Sequence, residues 1–281
     1  MRTFNCNGKL VALEQPIVMG ILNVTPNSFY DGGKYRSEPE IIARCTAMLE
    51  EGATIIDVGA VSTRPGSAQA TAGEEEERLT EALTAIRKAF PDVLLSLDTY
   101  RADIARTMVN RFGVDIINDI SAGSIDDRMF ETIAALNVPY ILMHIQGTPE
   151  NMQDNPTYTH LMEDIISFFR ENITRLRALG VKDIILDPGF GFGKTVEHNY
   201  ELLRQMQQLA IFDCPVLAAA SRKSMIYQLL HTDAAQALNG TTAVNTLALL
   251  NGADILRVHD VKEAVECIRI VQKYKNSYTF A

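Results

Sequence analysis

Residues 184–194 read IILDPGFGFGK: three apolar residues stop on a carboxylate and run straight into a glycine-rich turn. Seven other stretches share that outline. Val18–Leu22 stops at Asn23, Thr54–Ile56 at Asp57, Val93–Leu97 at Asp98 and Val114–Ile117 at Asn118. Tyr140–Met143 stops at His144, Pro215–Ala220 at Ser221, and Asp254–Leu256 at Arg257, with His259 close behind. Helix-period segments separate the runs, and short unbroken apolar runs so flanked suit parallel strands covered on both faces. Eight such units in about 250 residues are the count of an α/β (β/α)₈ TIM barrel, whose C-terminal strand ends carry the chemistry. The polar stops then form a single cavity rim.

No Pro/Gly/Ser-rich linker or composition break divides the 281 residues, so the reading is a single domain over 1–281. Residues 1–15 add an N-terminal β-hairpin, with Thr3–Leu13 turning at Asn5-Cys-Asn-Gly8. Helices are expected over Glu38–Glu51, Gly73–Phe90, Arg101–Phe112, Asp126–Leu136 and His160–Leu179. Others follow over Glu197–Leu209, Ser224–Leu230 with Thr241–Leu250, and Val261–Tyr274. Glu74–Glu77 reads as the solvated first turn of its helix, where carboxylates favour the positive end of the dipole. Three connections, Thr25–Ser37, Ala60–Gly73 and Ile145–Thr159, exceed the about 2–6 residues usual after a barrel strand, as binding loops and lids do. Gly32-Gly33 and Pro65-Gly66 supply hinges for the first two. The third has no role legible in its residues.

A net charge of −9 without any block of Lys and Arg argues against nucleic-acid binding. Cys6, Cys45, Cys214 and Cys267 lack metal-ligand spacing and read as thiols of a reducing cytoplasm. Neither a signal peptide nor a membrane-spanning segment is evident. The five histidines lack zinc spacing.

The run Gly193-Lys194-Thr195 imitates the end of a phosphate-binding P-loop, but the first required glycine is replaced by Pro188, which has no N–H to offer a phosphate. Two readings remain. The glycines let backbone and the rings of Phe190 and Phe192 close around a flat ligand whose N–H groups Asp187 accepts, or the turn is purely structural. In Ser221-Arg222-Lys223-Ser224 the serines can cap the next helix, and Lys223 can donate to a ligand or stabilise negative charge. Alternation along a strand puts Arg257 and His259 on one side, and with the helix starting near Asp260 they form an anion site. Asn23, Asp98, Asn118 and Asp187 offer two carboxylates and two amides, a set better suited to a heterocycle rich in N–H and C=O edges than to acid–base catalysis or a metal cage.

These motifs resemble one family, the dihydropteroate synthases, in order and over nearly the whole chain. They are MGILNVTPNSFYDGG from Met19, DVGAVSTRPGS from Asp57, LDTYR from Leu97, NDIS from Asn118 and LMHIQGTPENMQ from Leu142. LDPGFGFGKT from Leu186, SRKSMI from Ser221 and RVHDVKE from Arg257 complete the series. The resemblance implies condensation of 7,8-dihydropterin-6-ylmethyl pyrophosphate with p-aminobenzoate, releasing pyrophosphate and forming 7,8-dihydropteroate for folate synthesis by a dissociative, S_N1-like path. It implies that Asp98, Asn118, Asp187 and Lys223 hold the pterin, walled by Met143 and Phe192. Asn23, Thr63, Arg64, Ser221, Arg257 and His259 would hold the pyrophosphate, with Asn23 a ligand of Mg²⁺. Phe29, Thr63, Pro65, Lys223 and Ser224 would border the p-aminobenzoate site. Asp98, Lys223, Arg257 and His259 carry the catalytic roles, sulfonamides are the expected competitive inhibitors, and a homodimer is expected through the later helices.

Asn27, Tyr30, Ala60-Val61 and Ala219 depart from the family's usual pattern; the loop changes bear on closure and metal handling, Ala219 on the pocket floor. Two other functions fit fewer residues. A methyltetrahydrofolate-dependent methyltransferase has no need of the Arg257–His259 clamp. A pterin-binding homologue without turnover should show erosion of Thr63-Arg64-Pro65-Gly66, which is intact.

Overall fold

The alternation of apolar residues along each strand determines what lies inside and outside. In the computed structural model, which describes residues 2–6, 8–25, 37–61, 70–148, 151–152 and 154–277, β1 (Arg2–Cys6) and β2 (Lys9–Leu13) form an antiparallel hairpin. Eight parallel strands follow: β3 (Ile17–Asn23), β4 (Ile55–Gly59), β5 (Leu94–Asp98), β6 (Ile116–Asp119), β7 (Tyr140–Met143), β8 (Ile184–Asp187), β9 (Leu217–Ala218) and β10 (Ile255–Val258). Their order is β8-β7-β6-β5-β4-β3-β10-β9. A parallel bridge between Leu186 and Val216, with the Leu186 N–H donating to the Pro215 carbonyl at 2.8 Å, joins the two ends and closes the barrel.

Helices α1 (Glu38–Glu50), α2 (Ala72–Ala89), α3 (Ala102–Phe112), α4 (Met129–Leu136), α5 (Leu161–Ala178) and α6 (Val196–Gln205) surround the first six strands, close to the expected boundaries. A 3₁₀ segment, Met206–Phe212, extends α6. The single turn α7 (Ser224–Tyr227), then α8 (Leu238–Leu250) and α9 (Val261–Asn276), complete the ring. Thr71 starts α2 with a reciprocal cap: Glu74 N–H donates to Thr71 Oγ1 at 3.3 Å, and Thr71 N–H donates to Glu74 Oε2 at 2.8 Å.

Outward strand residues such as Val18, Ile56, Leu95, Ile117, Leu142 and Leu186 pack under the helices. Inward ones, Met19, Ile55, Ile116, Ile141, Ile185, Leu217, Ala219 and Ile255, form a separate apolar plug. Phe4, Cys6 and Leu13 of the hairpin belong to the same plug. Most inward columns then change character toward the C-terminal end: Ile55 gives way to Asp57, Leu94 to Ser96 and Asp98, Ile116 to Asn118, Ile185 to Asp187, Ile255 to Arg257, while on β7 Ile141 is followed by Met143. An apolar base carrying a polar upper layer is what places a wet site on a dry, close-packed support.

Several expectations need correction: β6 runs one residue past Asn118, to Asp119, and β10 one past Arg257, to Val258. β4 does not stop at Asp57 but runs to Gly59, because Asp57 pairs in register with Ile21 and Ser96 while Gly59 lies opposite Asn23 and Asp98. Nor is the whole of Glu74–Glu77 solvated: helical rotation turns Glu75 fully inward, where it accepts from Thr99 Oγ1 at 2.6 Å and pairs with Arg101.

Candidate active site

Asn23, Gly59, Asp98 and Asn118 lie side by side on four consecutive strands, one register row around the barrel mouth. Gly59 leaves room there: a Cβ would sit 3.3 Å from Asn23 Oδ1 and 3.4 Å from Asp98 Cβ, close enough to push on both side chains. Asp57, one layer deeper, is completely buried. Its Oδ2 accepts from Arg257 Nε at 2.7 Å and from Asn118 Nδ2 at 3.2 Å, while Oδ1 is buried without a partner among the described residues. Arg257 Nη2 also bonds Asp98 Oδ2 at 2.7 Å, so one guanidinium joins two carboxylates from two strands. Burial raises the Asp98 pKa, and Arg257 opposes the rise. The same two carboxylates raise that of Arg257.

Asp187 ends β8. Its Oδ1 accepts the Gly189 N–H at 2.7 Å, and burial raises its pKa against the pull of Lys223. Lys223 donates to the Phe190 carbonyl at 2.6 Å and stands 4.6 Å over the Phe192 ring. Burial lowers its pKa to about 8, opposed first by Asp187. Phe192 packs against a small apolar cluster of Tyr100, Ile120 and Met143, with Val61 and Ile145 beside it. The mouth therefore offers a flat apolar wall facing a row of carboxylates and amides, the arrangement expected of a site for a planar polar heterocycle.

On the opposite side Ser221 and His259 come together. Ser221 Oγ accepts the His259 N–H at 3.2 Å and lies 3.0 Å from Nδ1. Assigning the hydroxyl hydrogen to Nδ1 places the ring proton on Nε2. Burial holds the imidazole pKa down at about 3, so the ring is neutral and donates through Nε2. Arg44 of α1 donates to the His259 carbonyl and fixes the turn. Arg222 is not part of this group. Its guanidinium forks onto Asp260 at 2.8 Å and 2.8 Å and donates to the carbonyls of Ala234 and Ala235, tying the ends of β9 and β10 together. Neither serine of the SRKS motif caps α7; Lys223 holds that position, and Ser224 opens the helix half-buried.

Of the residues expected at the site, Asn23, Asp98, Asn118, Met143, Asp187, Phe192, Ser221, Lys223, Ser224, Arg257 and His259 all fall at this end of the barrel. Phe29, Thr63, Arg64 and Pro65, with Asn27 and Tyr30, lie outside the described residues. Three contributors had no binding or catalytic role in the sequence reading: Asp57, given only a place on the rim, the Tyr100–Ile120 wall, and Lys194. Parity could have found the first, since Asp57 shares the inward side of β4 with Ile55. Ala219 joins the apolar plug beneath the site, consistent with a place at the pocket floor. The 145–159 connection acquires a role as a buttress. The Gln146 side chain bonds the Thr157 backbone at 2.8 Å and 3.1 Å, and Tyr158 donates to the Gly193 carbonyl at 2.8 Å. Gly189 and Gly193 are required by that contact: a Cβ on either would collide with the His144 or Gln146 carbonyl, at 1.9 Å and 2.5 Å.

Comparison with known proteins agrees with this geometry. The family described as "Pterin binding enzyme" matches residues 19–259. The dihydropteroate synthase of Escherichia coli (strain K12) is 42% identical over 267 residues, 94% of each chain. That of Haemophilus influenzae is 40% identical over 273 residues, covering 96% of this chain and 98% of its own. A crystal structure of the Yersinia pestis synthase in complex with a sulfonamide drug superposes with a TM-score of 0.93 at 42% identity, over 98% of this chain and all of the other. The Xanthomonas albilineans synthase with 4-aminobenzoic acid gives 0.87 at 34% identity, over 98% of both. With relatives this close spanning nearly its full length, the chain belongs to the dihydropteroate synthases, transferases of the pterin-binding enzyme family.

Proposed function

We propose that the barrel mouth condenses 7,8-dihydropterin-6-ylmethyl pyrophosphate with p-aminobenzoate, and that its residues divide the work as follows. Asp187, Asn118 and Asp98 take the N–H and C=O edges of the dihydropterin, and Lys223 donates to it from above Phe192. The observation that carries this assignment is the convergence of three strand ends and one lysine on a single apolar wall. The bond from the methylene carbon to the bridging oxygen breaks with its electrons leaving on pyrophosphate. The positive charge left on the pterin is spread over the ring beside Asp98. Arg257 and His259 Nε2–H, steadied by Ser221, stabilise the departing anion. The neutral aniline nitrogen then bonds the methylene and gives up a proton, so no strong base is required.

Mg²⁺ fits the donors as a cation held chiefly by substrate phosphate. Asn23 Oδ1 stands at the rim beside Asp98, and no group of three His, Cys, Asp or Glu side chains among the described residues forms a cage. When bound it would neutralise pyrophosphate charge; Thr63 and Arg64 belong to the same proposed clamp. Phe29, Pro65 and Ser224 complete the proposed p-aminobenzoate border. Sulfonamides compete there, in keeping with the relative crystallised with such a drug. The test is pyrophosphate release with and without p-aminobenzoate. Release that depends on p-aminobenzoate and yields dihydropteroate is expected; a folded protein that binds pterin without turnover would refute it.

A homodimer belongs to the same proposal. Leu247 and Leu250 of α8 and Ile270 and Tyr274 of α9 are exposed on neighbouring helices, an apolar face larger than a lone side chain explains. The doubly substituted Leu247→Glu/Ile270→Glu protein is expected to sediment as a monomer with its fold retained; an unchanged sedimentation coefficient would place the interface elsewhere. We further place the whole chain in one folding domain, since the hairpin shares the barrel's plug, and in the cytoplasm, where four buried free thiols persist. No helix among the described residues is long and apolar enough to cross a membrane.

A further inference from the structure

Lys194 is buried inside the glycine loop without a carboxylate in hydrogen-bond contact among the described residues. Its Nζ has three partners, the Gly189 carbonyl at 3.0 Å, the Phe192 carbonyl at 3.1 Å and His144 Nδ1 at 3.0 Å. An ammonium has three donors, and all three are used. His144, at the end of β7, is buried against Phe168 at 4.9 Å between ring centres, and its backbone N–H donates to the Asp187 carbonyl at 2.9 Å. Burial, then the nearby lysine, holds its imidazole neutral, and assigning the ring proton to Nε2 makes Nδ1 the acceptor of the Lys194 ammonium. Burial lowers Lys194 to about 7, opposed by Asp187.

The three contacts matter because of what the loop itself holds. Gly189 N–H fixes the Asp187 carboxylate, the Phe190 carbonyl receives Lys223, and the Phe192 ring lies under the same lysine. Lys194 also helps keep Asp187 ionised. The charged and titratable groups around it are His144 from β7, Asp187 from β8 and Lys223 from the turn after β9, with Tyr158 and His198 stacked beyond His144. A buried ammonium is costly to retain, and a glycine turn needing only compactness is more cheaply filled by an apolar side chain.

We propose that Lys194 is a positioning residue for the dihydropterin pocket: by gripping His144 and two carbonyls of the glycine loop, it holds Asp187 and Lys223 at the spacing the pterin requires. The proposal rests on the assignment of Asp187 and Lys223 to that pocket. The test compares Lys194→Met, His144→Ala, His144→Asn and Asp187→Ala in the full chain, by calorimetric titration with 6-hydroxymethylpterin and by steady-state kinetics. His144→Asn keeps an acceptor where Nδ1 stood. Lys194→Met and His144→Ala are expected to weaken pterin affinity and raise the KM of the pterin substrate about 10- to 100-fold, the scale of a small misplacement in a preorganised site. The KM for p-aminobenzoate stays unchanged, His144→Asn recovers most of the loss, and a Lys194→Met/His144→Ala double variant is no worse than Lys194→Met alone. Wild-type pterin affinity in folded Lys194→Met and His144→Ala, or equal loss for both substrates, would overturn the proposal. So would a His144→Asn protein no better than His144→Ala, a comparison that decides the matter even if Lys194→Met does not fold. Normal pterin affinity in Asp187→Ala would instead overturn the underlying pocket assignment.

Discussion

Lys223→Ala is expected to fold as the parent does and to lose about 10²–10³-fold in kcat, the loss typical when one preorganised hydrogen-bond donor is removed from an active site. The fold survives because the ammonium bonds only the Phe190 carbonyl among the partners described, and the strand before it is held by Val216, Leu217 and Ala218 in the barrel. The catalytic loss is large because the charge interacts with Asp187 and Asp98 in a largely buried site, where a cation acts more strongly than in solvent. The sign of its pH dependence follows from burial. The folded-state pKa is lowered to about 8, so the lysine is cationic below that value and loses its charge as pH rises through it. Wild-type kcat/KM is therefore expected to fall on the alkaline side near pH 8, and the limb should be absent from the residual activity of Lys223→Ala. Near-normal turnover in the variant, or an unchanged alkaline limb, would remove Lys223 from the chemistry.

Asp57→Ala has the largest expected effect on stability. Arg257 is 15% exposed at its side chain and is held by Asp57 and Asp98; removing the fully buried partner leaves the guanidinium on one carboxylate and takes the acceptor from Asn118 Nδ2. Breaking a buried ion pair by deleting one partner costs about 3–5 kcal/mol. For a domain of this size that lowers the thermal midpoint by about 10 °C. Asp57→Asn, which keeps an acceptor and the volume, should cost less, and a midpoint equal to wild type in Asp57→Ala would mean that Asp98 alone suffices to hold Arg257. Because Arg257 serves the proposed pyrophosphate clamp, turnover should fall with stability even below the melting range.

Much of this site was legible in the chain. Asn23, Asp98, Asn118, Asp187, Ser221 and Arg257 stand where apolar runs end, and a strand that enters a barrel must deliver its C-terminal residue to one face. The helices were legible for the same reason, since amphipathic period and cap chemistry are written within a few residues of each element. Asp57 was placed at a strand end because the apolar run stops there, yet β4 continues through Val58 and Gly59. Its depth depends on the stagger between neighbouring strands, which no single run encodes. Glu75 was hidden in a run of four glutamates, of which helical rotation buries this one against Thr99 and Arg101.

Composition and local pattern thus determined the number of βα units, their order, and which polar residues share the open end of the barrel. Those are consequences of period, burial and chain direction, all readable over spans of about ten residues. The tertiary structure alone decided the vertical layering of Asp57 beneath Asp98, the sharing of Arg257 between two strands, and the docking of the 145–159 loop on the glycine turn. It also decided the meeting of His144 with Lys194, 50 residues apart in sequence. Such contacts are set by barrel closure and by which backbones press together, and their energy exists only once distant segments have already been brought into register.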